Sequence, residues 1–374
     1  VRFLPLLAQL HRWAGLAIGS VLILLGVTGA ALVFRPELTG LLYPEQAGRP
    51  PLAEGMWADR VAAIHHRYGD TLRNIKTPRP HLDAWELWLT GEGRAILDGR
   101  TLEVLDEWQG VGHPLEFLFK LHADLLAGDA GHLVAGSIGI AGTVMLVTGA
   151  VLWWPRRRSF RAGLLKPKAN RRGPWLSAHW TAGILLLPLG LVPLATGAAV
   201  VFHAQAKALL IAVTFEKPRL PPPSKATGAA GPVDWATALA TAREAFPEAD
   251  MVFISPPRGP SGPVSFRLRQ PGEWHPNGRS TVQAEPTTGA LLQAVDANAL
   301  SQGERLSNAI YPIHAARIGG LVFALVTAAT GIGLAWISAT GIWAWLRGRR
   351  ASLAEAAHGL IQQQRRRKAR QVRQ

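Results

Sequence analysis

Residues Trp13–Phe34 read WAGLAIGSVLILLGVTGAALVF, 22 residues in a row without a charge. About 20 apolar residues cross a bilayer core, and buried soluble helices rarely stay uncharged this long. The run is too long for the apolar region of a cleaved signal, and no small-residue cleavage site precedes a mature domain. Three more uncharged runs follow: Leu133–Trp154, Trp175–Phe202, which contains Pro188 and Pro193, and Ile318–Leu346. The sequence therefore predicts a membrane protein with four transmembrane helices.

The charges set the orientation. The 374 residues include 40 Lys and Arg against 25 Asp and Glu, for a net charge of +15. Only 17% of residues are charged, against roughly 25% in globular chains, so the bases must be concentrated. Seventeen of the 40 lie in two stretches, the loop WWPRRRSFRAGLLKPKANRRGPW and the tail from Arg347. Glu355 is the only acid in either. The positive-inside rule places both stretches, and both termini, in the cytoplasm. Trp153, Trp154, Trp343 and Trp345 form an interfacial belt beside them. The basic excess is then a topological signal and calls for no nucleic acid.

Two segments remain outside. Each opens with an expected helix, Met56–Tyr68 or Asp234–Phe246, and continues in strand-like alternation. The strands expected are Ala84–Leu89, Arg94–Leu97 and Leu102–Trp108 in the first segment. In the second they are Met251–Ser255, Val264–Arg269, Thr281–Glu285 and Ala290–Val295. Lys217–Pro232 reads as a linker. Along the chain the divisions are helix 1 over 1–36, an α+β domain over 37–115, an interfacial segment with helix 2 over 116–155, a basic loop over 156–174, helix 3 over 175–203, a second α+β domain over 204–312, helix 4 over 313–346 and a basic tail over 347–374.

The chain also repeats itself. At an offset of 168, His11 falls on His179, Gly15 on Gly183 and Thr28-Gly29 on Thr196-Gly197. At an offset of 192, His122 falls on His314, Gly139 on Gly331 and Thr148-Gly149 on Thr340-Gly341. The expected architecture is a four-helix bundle built from two tandem repeats, with two outer α+β domains. Of twelve histidines the repeat pairs four; His132 and His203 have no repeat partner.

Ionisable residues at membrane depth are costly and usually functional. His11 and His179 sit at the cytoplasmic entry of their helices, with glycines on the following turns. His122 and His314 precede theirs on the outer side, each 26 residues before the matching Thr, on helical extensions or short interfacial helices. With no cysteine, iron–sulfur clusters, thiolate zinc and covalent C-x-x-C-H haem attachment are excluded. Neutral imidazole is a good iron ligand, and haem held between helices needs only facing side chains. The functional reading is two b-type haems per chain, one on His11 and His179, the other on His122 and His314, with His132 and His203 as spare candidates for the outer site. Using either spare would shorten the gap between haems. The plainer reading makes these histidines interfacial anchors or helix caps and the glycine faces simple helix packing. No nucleotide-binding glycine loop or H-E-x-x-H is found. His65-His66, His81, His113 and His275 read as solvated, and most outer tryptophans as core.

The L-H-R-W-x-G at Leu10–Gly15, L-H-x-D-L-L-x-G-x-x-G-H at Leu121–His132, T-G-x-x-L-W-W-P-R-R from Thr148, H-W-T-A-G from His179, P-I-H-A-x-x-x-G from Pro312 and W-x-W-x-R-x-R-R from Trp343 together resemble the PepSY-associated transmembrane family. D-G-R-T-L-E-V-L and E-P-T-T-G-A-L-L resemble pieces of PepSY domains. The resemblance covers nearly the whole chain. It implies an iron-regulated bacterial inner-membrane protein with periplasmic PepSY-like domains, acting as a haem-dependent ferric-siderophore reductase. It carries the ligand role onto His11, His122, His179 and His314. His132 stands where relatives carry arginine, as an extra ligand or a replacement for that base.

The expected path takes an electron from a cytoplasmic donor or quinol, through both haems, to a ferric siderophore outside. Arg258, Arg267, Arg269 and Arg279 are candidates for docking anionic chelates, or a solvated face. The rival expectation is a non-enzymatic membrane protein whose PepSY domains bind peptides or regulate a protease. A siderophore transporter subunit fits less well, since the helices carry no buried charges.

Overall fold

The computed structural model describes residues 3–155, 172–221, 231–259 and 262–371. Most of the basic loop expected over 156–174, and most of the linker, lie outside the described residues. The chain divides into two compact units.

The first unit comprises Val1–Ala30, Val134–Ala198 and Leu325–Gln374. It is built from α1 (Phe3–Leu32), α5 (Gly128–Trp153), α6 (Arg172–Val201) and α10 (Gly320–Gln371). Four stretches are long and apolar enough to cross a membrane: Phe3–Leu32, Gly128–Trp153, Gly173–Val201 and Gly320–Arg350. Each overlaps an expected run. α1 starts ten residues before the uncharged run, because one charge does not stop a helix; the Arg12 guanidinium lies over the Trp13 ring at 5.4 Å. α6 continues through Pro188 and Pro193. α10 runs on into the expected tail, which is rich in the helix formers Ala, Gln and Arg.

Small residues set the helix spacing. A Cβ on Gly26 would fall 2.5 Å from the carbonyl oxygen of Gly331, and one on Gly331 would fall 2.7 Å from that of Gly26. α1 and α10 therefore touch backbone to backbone, the small-residue packing that apolar surroundings favour. Gly139 approaches the Leu194 carbonyl in the same way, at 3.0 Å. Ala182, Leu194, Leu334 and Ile337 fill the space between α6 and α10.

The second unit comprises Ala31–Leu133 and Ala199–Ala324. Its helices are α2 (Arg35–Leu42), α3 (Trp57–Tyr68), α4 (Pro114–Ala123), α7 (His203–Thr214), α8 (Trp235–Ala245) and α9 (Gln302–His314). Its strands are β1 (Leu72–Lys76), β2 (Ala84–Leu89), β3 (Gly93–Asp98), β4 (Val104–Gln109), β5 (Asp250–Ser255), β6 (Val264–Arg269), β7 (Ser280–Ala284) and β8 (Leu291–Val295). All eight form one antiparallel sheet in the order β4-β3-β2-β1-β5-β6-β7-β8.

The segments expected as two separate domains thus meet in a single sheet. The seam is β1 against β5, with Ile75 opposite Ile254 and Lys76 opposite Phe253. Thr77 extends it, its hydroxyl donating to the Met251 carbonyl at 2.7 Å. One core spans both halves: α3 supplies Trp57, Val61 and Ile64, α8 supplies Trp235, Ala238 and Ala242, and Trp85, Ile254 and Phe266 rise from the sheet. The period-2 alternation is plain in β6, where Val264, Phe266 and Leu268 are buried and Arg269 is exposed. Leu102, expected in a strand, sits in a turn with φ 61°.

Candidate functional site

In the first unit, α1 and α6 bring His11 and His179 together, ring centroids 6.3 Å apart and ring planes at 75°. Each ring is held by a neighbouring helix. His179 Nδ1 lies 2.8 Å from the Ile337 carbonyl. A carbonyl only accepts, so Nδ1 carries the proton and donates. His11 Nδ1 lies 2.9 Å from the Thr148 hydroxyl. That hydroxyl donates to the Met145 carbonyl at 3.2 Å, which leaves its lone pairs to accept from His11. Both imidazoles therefore hold the same tautomer, with a bare lone pair on Nε2. This is how metal-binding histidines are oriented: the outer nitrogen is tied and the inner one is presented.

The glycines after each threonine make room for the rings. A Cβ on Gly149 would meet His11 Cε1 at 3.3 Å, and one on Gly341 would meet His179 Nδ1 at 3.0 Å. His11 and His179 both line a cavity of ≈ 410 Å³, together with Gly15, Gly142 and Gly183. Gly183 faces open space, with nothing within 4 Å of an added Cβ. The glycine faces thus divide: Gly26, Gly139 and Gly331 pack helices, while Gly149, Gly183 and Gly341 border the histidine cavity.

In the second unit, His122 near the end of α4 and His314 at the end of α9 lie with centroids 6.1 Å apart and planes at 31°. Both helices are short and separate from the long helix that follows. Leu125 and Leu126 take positive φ after α4, and Ala316, Gly319 and Gly320 after α9. α9 is fixed by a capping box, in which Ser301 and Glu304 bond each other's backbones.

The two pairs share a spacing. Two imidazoles on one iron, each with a nitrogen about 2 Å from it, have ring centroids about 6 Å apart. The donor set fits haem iron in chemistry as well as in separation. Among the described residues no group of three or more His, Asp or Glu could hold a metal ion.

The remaining histidines are placed elsewhere. His132 Nδ1 lies 3.1 Å from the Ala123 carbonyl, at the end of α4. His203 Nε2 lies 3.4 Å from the Ser307 hydroxyl. Two histidines expected to be solvated are buried. His113 caps α4 by accepting from the Leu115 amide at 3.2 Å, and its ring stacks on Trp108 at 4.4 Å. His275 stacks on Tyr311 at 5.1 Å. His65 packs edge-on to Trp235 at 5.4 Å, while His66 is exposed. Of the four arginines named for chelate docking, Arg258 and Arg269 are exposed, and Arg267 and Arg279 are half-buried. The sequence reasoning missed Thr148, Ile337, Gly149 and Gly341 as supports of the histidines; the recurrence of Thr-Gly was the available signal.

Four membrane-length helices, an eight-stranded antiparallel sheet and two close histidine pairs define a membrane protein with two candidate histidine sites. The chain belongs to the PepSY-associated TM region family, whose match runs over residues 8–348. No curated protein matches it.

Proposed function

We propose that this protein is a two-haem b reductase of the bacterial inner membrane that delivers electrons to a ferric siderophore in the periplasm. The observation that supports it best is the inner histidine pair. The His11 and His179 rings have centroids 6.3 Å apart, are tied at Nδ1 by Thr148 and Ile337, which leaves the Nε2 lone pairs bare, and line one cavity. His122 and His314 repeat the spacing in the other unit. Bound haem supplies reversible one-electron transfer.

The chain's own residues do the rest. The four histidines would hold the two haem irons through their imidazole nitrogens. Thr148 and the Ile337 carbonyl fix ring orientation and raise ligand basicity. Gly149 and Gly341 keep the rings free of steric push. The basic loop and tail hold both termini in the cytoplasm, which puts the sheet-bearing unit in the periplasm. One electron from a cytoplasmic donor or quinol converts each ferric ion to ferrous. Ferrous iron binds hard oxygen chelators less tightly, and the ion is released.

The test is the visible spectrum of the protein purified from haem-replete cells. A reduced b-type spectrum with about two haems per chain is expected. A colourless protein overturns the reading and leaves the peptide-binding alternative.

A further inference from the structure

The sheet face turned away from α3 and α8 carries Lys76 and Arg267, and Arg279 lies beside them; Glu86 and Glu273 lie near, but among the described residues none of the three cations makes an ion pair. Ile75, Ile254 and Phe266 point into the core, so their neighbours Lys76, Phe253 and Arg267 point the other way. Register sets the three side by side across β1, β5 and β6. The Phe253 ring has Lys76 Nζ 5.7 Å from its centroid and the Arg267 guanidinium at 5.5 Å. Arg279, just before β7, has the same alternation as Thr281, which pairs with Arg267.

Among the described residues no carboxylate lies within ion-pair distance of these three side chains. Glu86, opposite Lys76 across β1 and β2, is ion-paired to Arg79. All three cations are half-buried rather than solvated. Burial pulls the Lys76 ammonium down to about 8, and Arg79, Arg35 and Arg317 add to this against the pull of Glu86. The buried Nε of Arg279 has no hydrogen-bond partner.

His275 beside it adds an independent sign. The Asn277 amide donates to its Nδ1 at 3.1 Å, and Arg279 Nη2 approaches its Nε2 at 3.0 Å. A neutral imidazole accepts at one nitrogen only, so one of these donors faces an N–H. Burial and the charges of Arg279, Arg267, Arg269 and Lys76 hold the ring neutral, with its pKa pushed down to about 3. The cluster has surplus donors and surplus positive charge, and an anion would satisfy both. Unpaired half-buried charge is costly to keep, and a cluster that keeps it is a candidate site for a ligand of the opposite sign.

We propose that Lys76, Arg267 and Arg279 form a docking site for an oxyanion-rich ferric chelate, so that the substrate of this reductase carries net negative charge. The proposal rests on the reductase reading and narrows its substrate class. Phe253 and Trp88, whose rings lie 5.2 Å apart, give the site an apolar floor. Tyr311, stacked on His275, stands about one helical turn before His314 on α9. The docked chelate therefore sits beside the helix that carries an outer histidine.

The experiment is calorimetric titration of the full-length protein in detergent with two redox-inert gallium(III) chelates, the anionic citrate complex and an uncharged trihydroxamate complex. Gallium citrate is expected to bind, with affinity falling as salt rises. Lys76→Met and Arg267→Gln should each weaken it about tenfold or more, the worth of a charge-assisted hydrogen bond, while Arg267→Lys keeps most of the affinity. Equal binding of both chelates, or unchanged affinity in Lys76→Met and Arg267→Gln, overturns the proposal. So does binding of phosphatidylglycerol but not citrate, which makes a lipid headgroup the occupant. Haem content is read from the spectrum of the same samples. A protein that binds the gallium chelate without haem keeps the docking site and sinks the reductase; a haem-loaded protein that ignores the chelate sinks the docking site alone.

Discussion

The Nδ1–H of His179 donates to the carbonyl oxygen of Ile337, 2.8 Å away on α10. The Thr340 hydroxyl donates to the same carbonyl at 2.9 Å. This carbonyl takes a threonine hydroxyl from its own helix and an imidazole from α6, which locks the ring's rotation. On the other side of the pair, Thr148 does the equivalent for His11 with a hydroxyl. Two different acceptors thus produce one outcome, a pair of Nε2 lone pairs ready for a metal.

Single histidine substitutions should therefore remove haems one site at a time. His11→Ala or His179→Ala is expected to lower haem content from two per chain to one, and His122→Ala or His314→Ala to do the same at the other site. A double variant with one change in each pair should be colourless. Pyridine haemochrome analysis of the purified proteins gives the count. Retention of full haem by either outer variant would remove His122 and His314 from the ligand set. His132→Ala and His203→Ala, whose rings are placed on Ala123 and Ser307, should leave the haem count unchanged.

Thr148→Val keeps the shape of the side chain and deletes the acceptor for His11 Nδ1–H. The imidazole then becomes a poorer donor to iron, the ferric form is less favoured, and the midpoint potential rises. One hydrogen bond is worth about 1 kcal/mol, a shift on the order of tens of millivolts for one electron. Haem affinity at this site should also fall about 10–100-fold. Thr148→Ser should restore both. Potentiometric titration of the two variants decides it, and an unchanged potential in Thr148→Val would show that the hydroxyl plays no part in tuning.

Gly341→Ala brings a methyl to 3.0 Å from His179 Nδ1, and Gly149→Ala one to 3.3 Å from His11 Cε1. Either should tilt its ring and cost haem at that site while the helices still form, since alanine is the better helix residue. Gly183→Ala meets nothing within 4 Å in the protein itself. Loss of haem in Gly183→Ala with the helical circular dichroism intact would show that the cofactor occupies the cavity this glycine borders. Full haem in Gly341→Ala would contradict the close ring contact.

Much of this was legible in the residues. β2 and β6 were read at the boundaries they have: β6 alternates cleanly between apolar and polar, and β2 is a short run of Trp and Leu around the single charge of Glu86. The pairing of His11 with His179 and His122 with His314 followed from two sequence offsets. β1 was not seen: Leu72–Lys76 is five residues long, with three polar side chains. That strand joins the halves, so the continuous sheet was missed along with it. His275 was read as solvated because it lies in a glycine- and proline-rich loop, yet Tyr311, 36 positions further on, covers it. The support of His179 by a backbone carbonyl leaves no mark on sequence, because every residue has one.

Glu304 links the stability of α9 to acidity. Its side chain is 2% exposed. Its carboxylate accepts from the amides of Arg219 at 2.9 Å and Leu220 at 3.3 Å and from the Ser301 hydroxyl at 2.8 Å, and Lys207 lies at 3.6 Å. Burial alone would raise its pKa, but these hydrogen bonds to the charged form outweigh it and hold the carboxyl below the ordinary 4.5. The folded state therefore binds fewer protons than the unfolded state just below that value. The stabilisation is fully present above 4.5 and is lost as pH falls through the lower, folded pKa. Glu304→Gln turns one acceptor into a donor among donors and should cost about 1–3 kcal/mol at neutral pH. Urea unfolding followed by tryptophan fluorescence at pH 7, 5 and 3.5 should show wild type losing stability with acid more steeply than Glu304→Gln. Because α9 ends at His314, the same acid step should loosen the outer histidine pair before the inner one. Parallel acid curves for the two proteins would assign the loss to a different carboxylate.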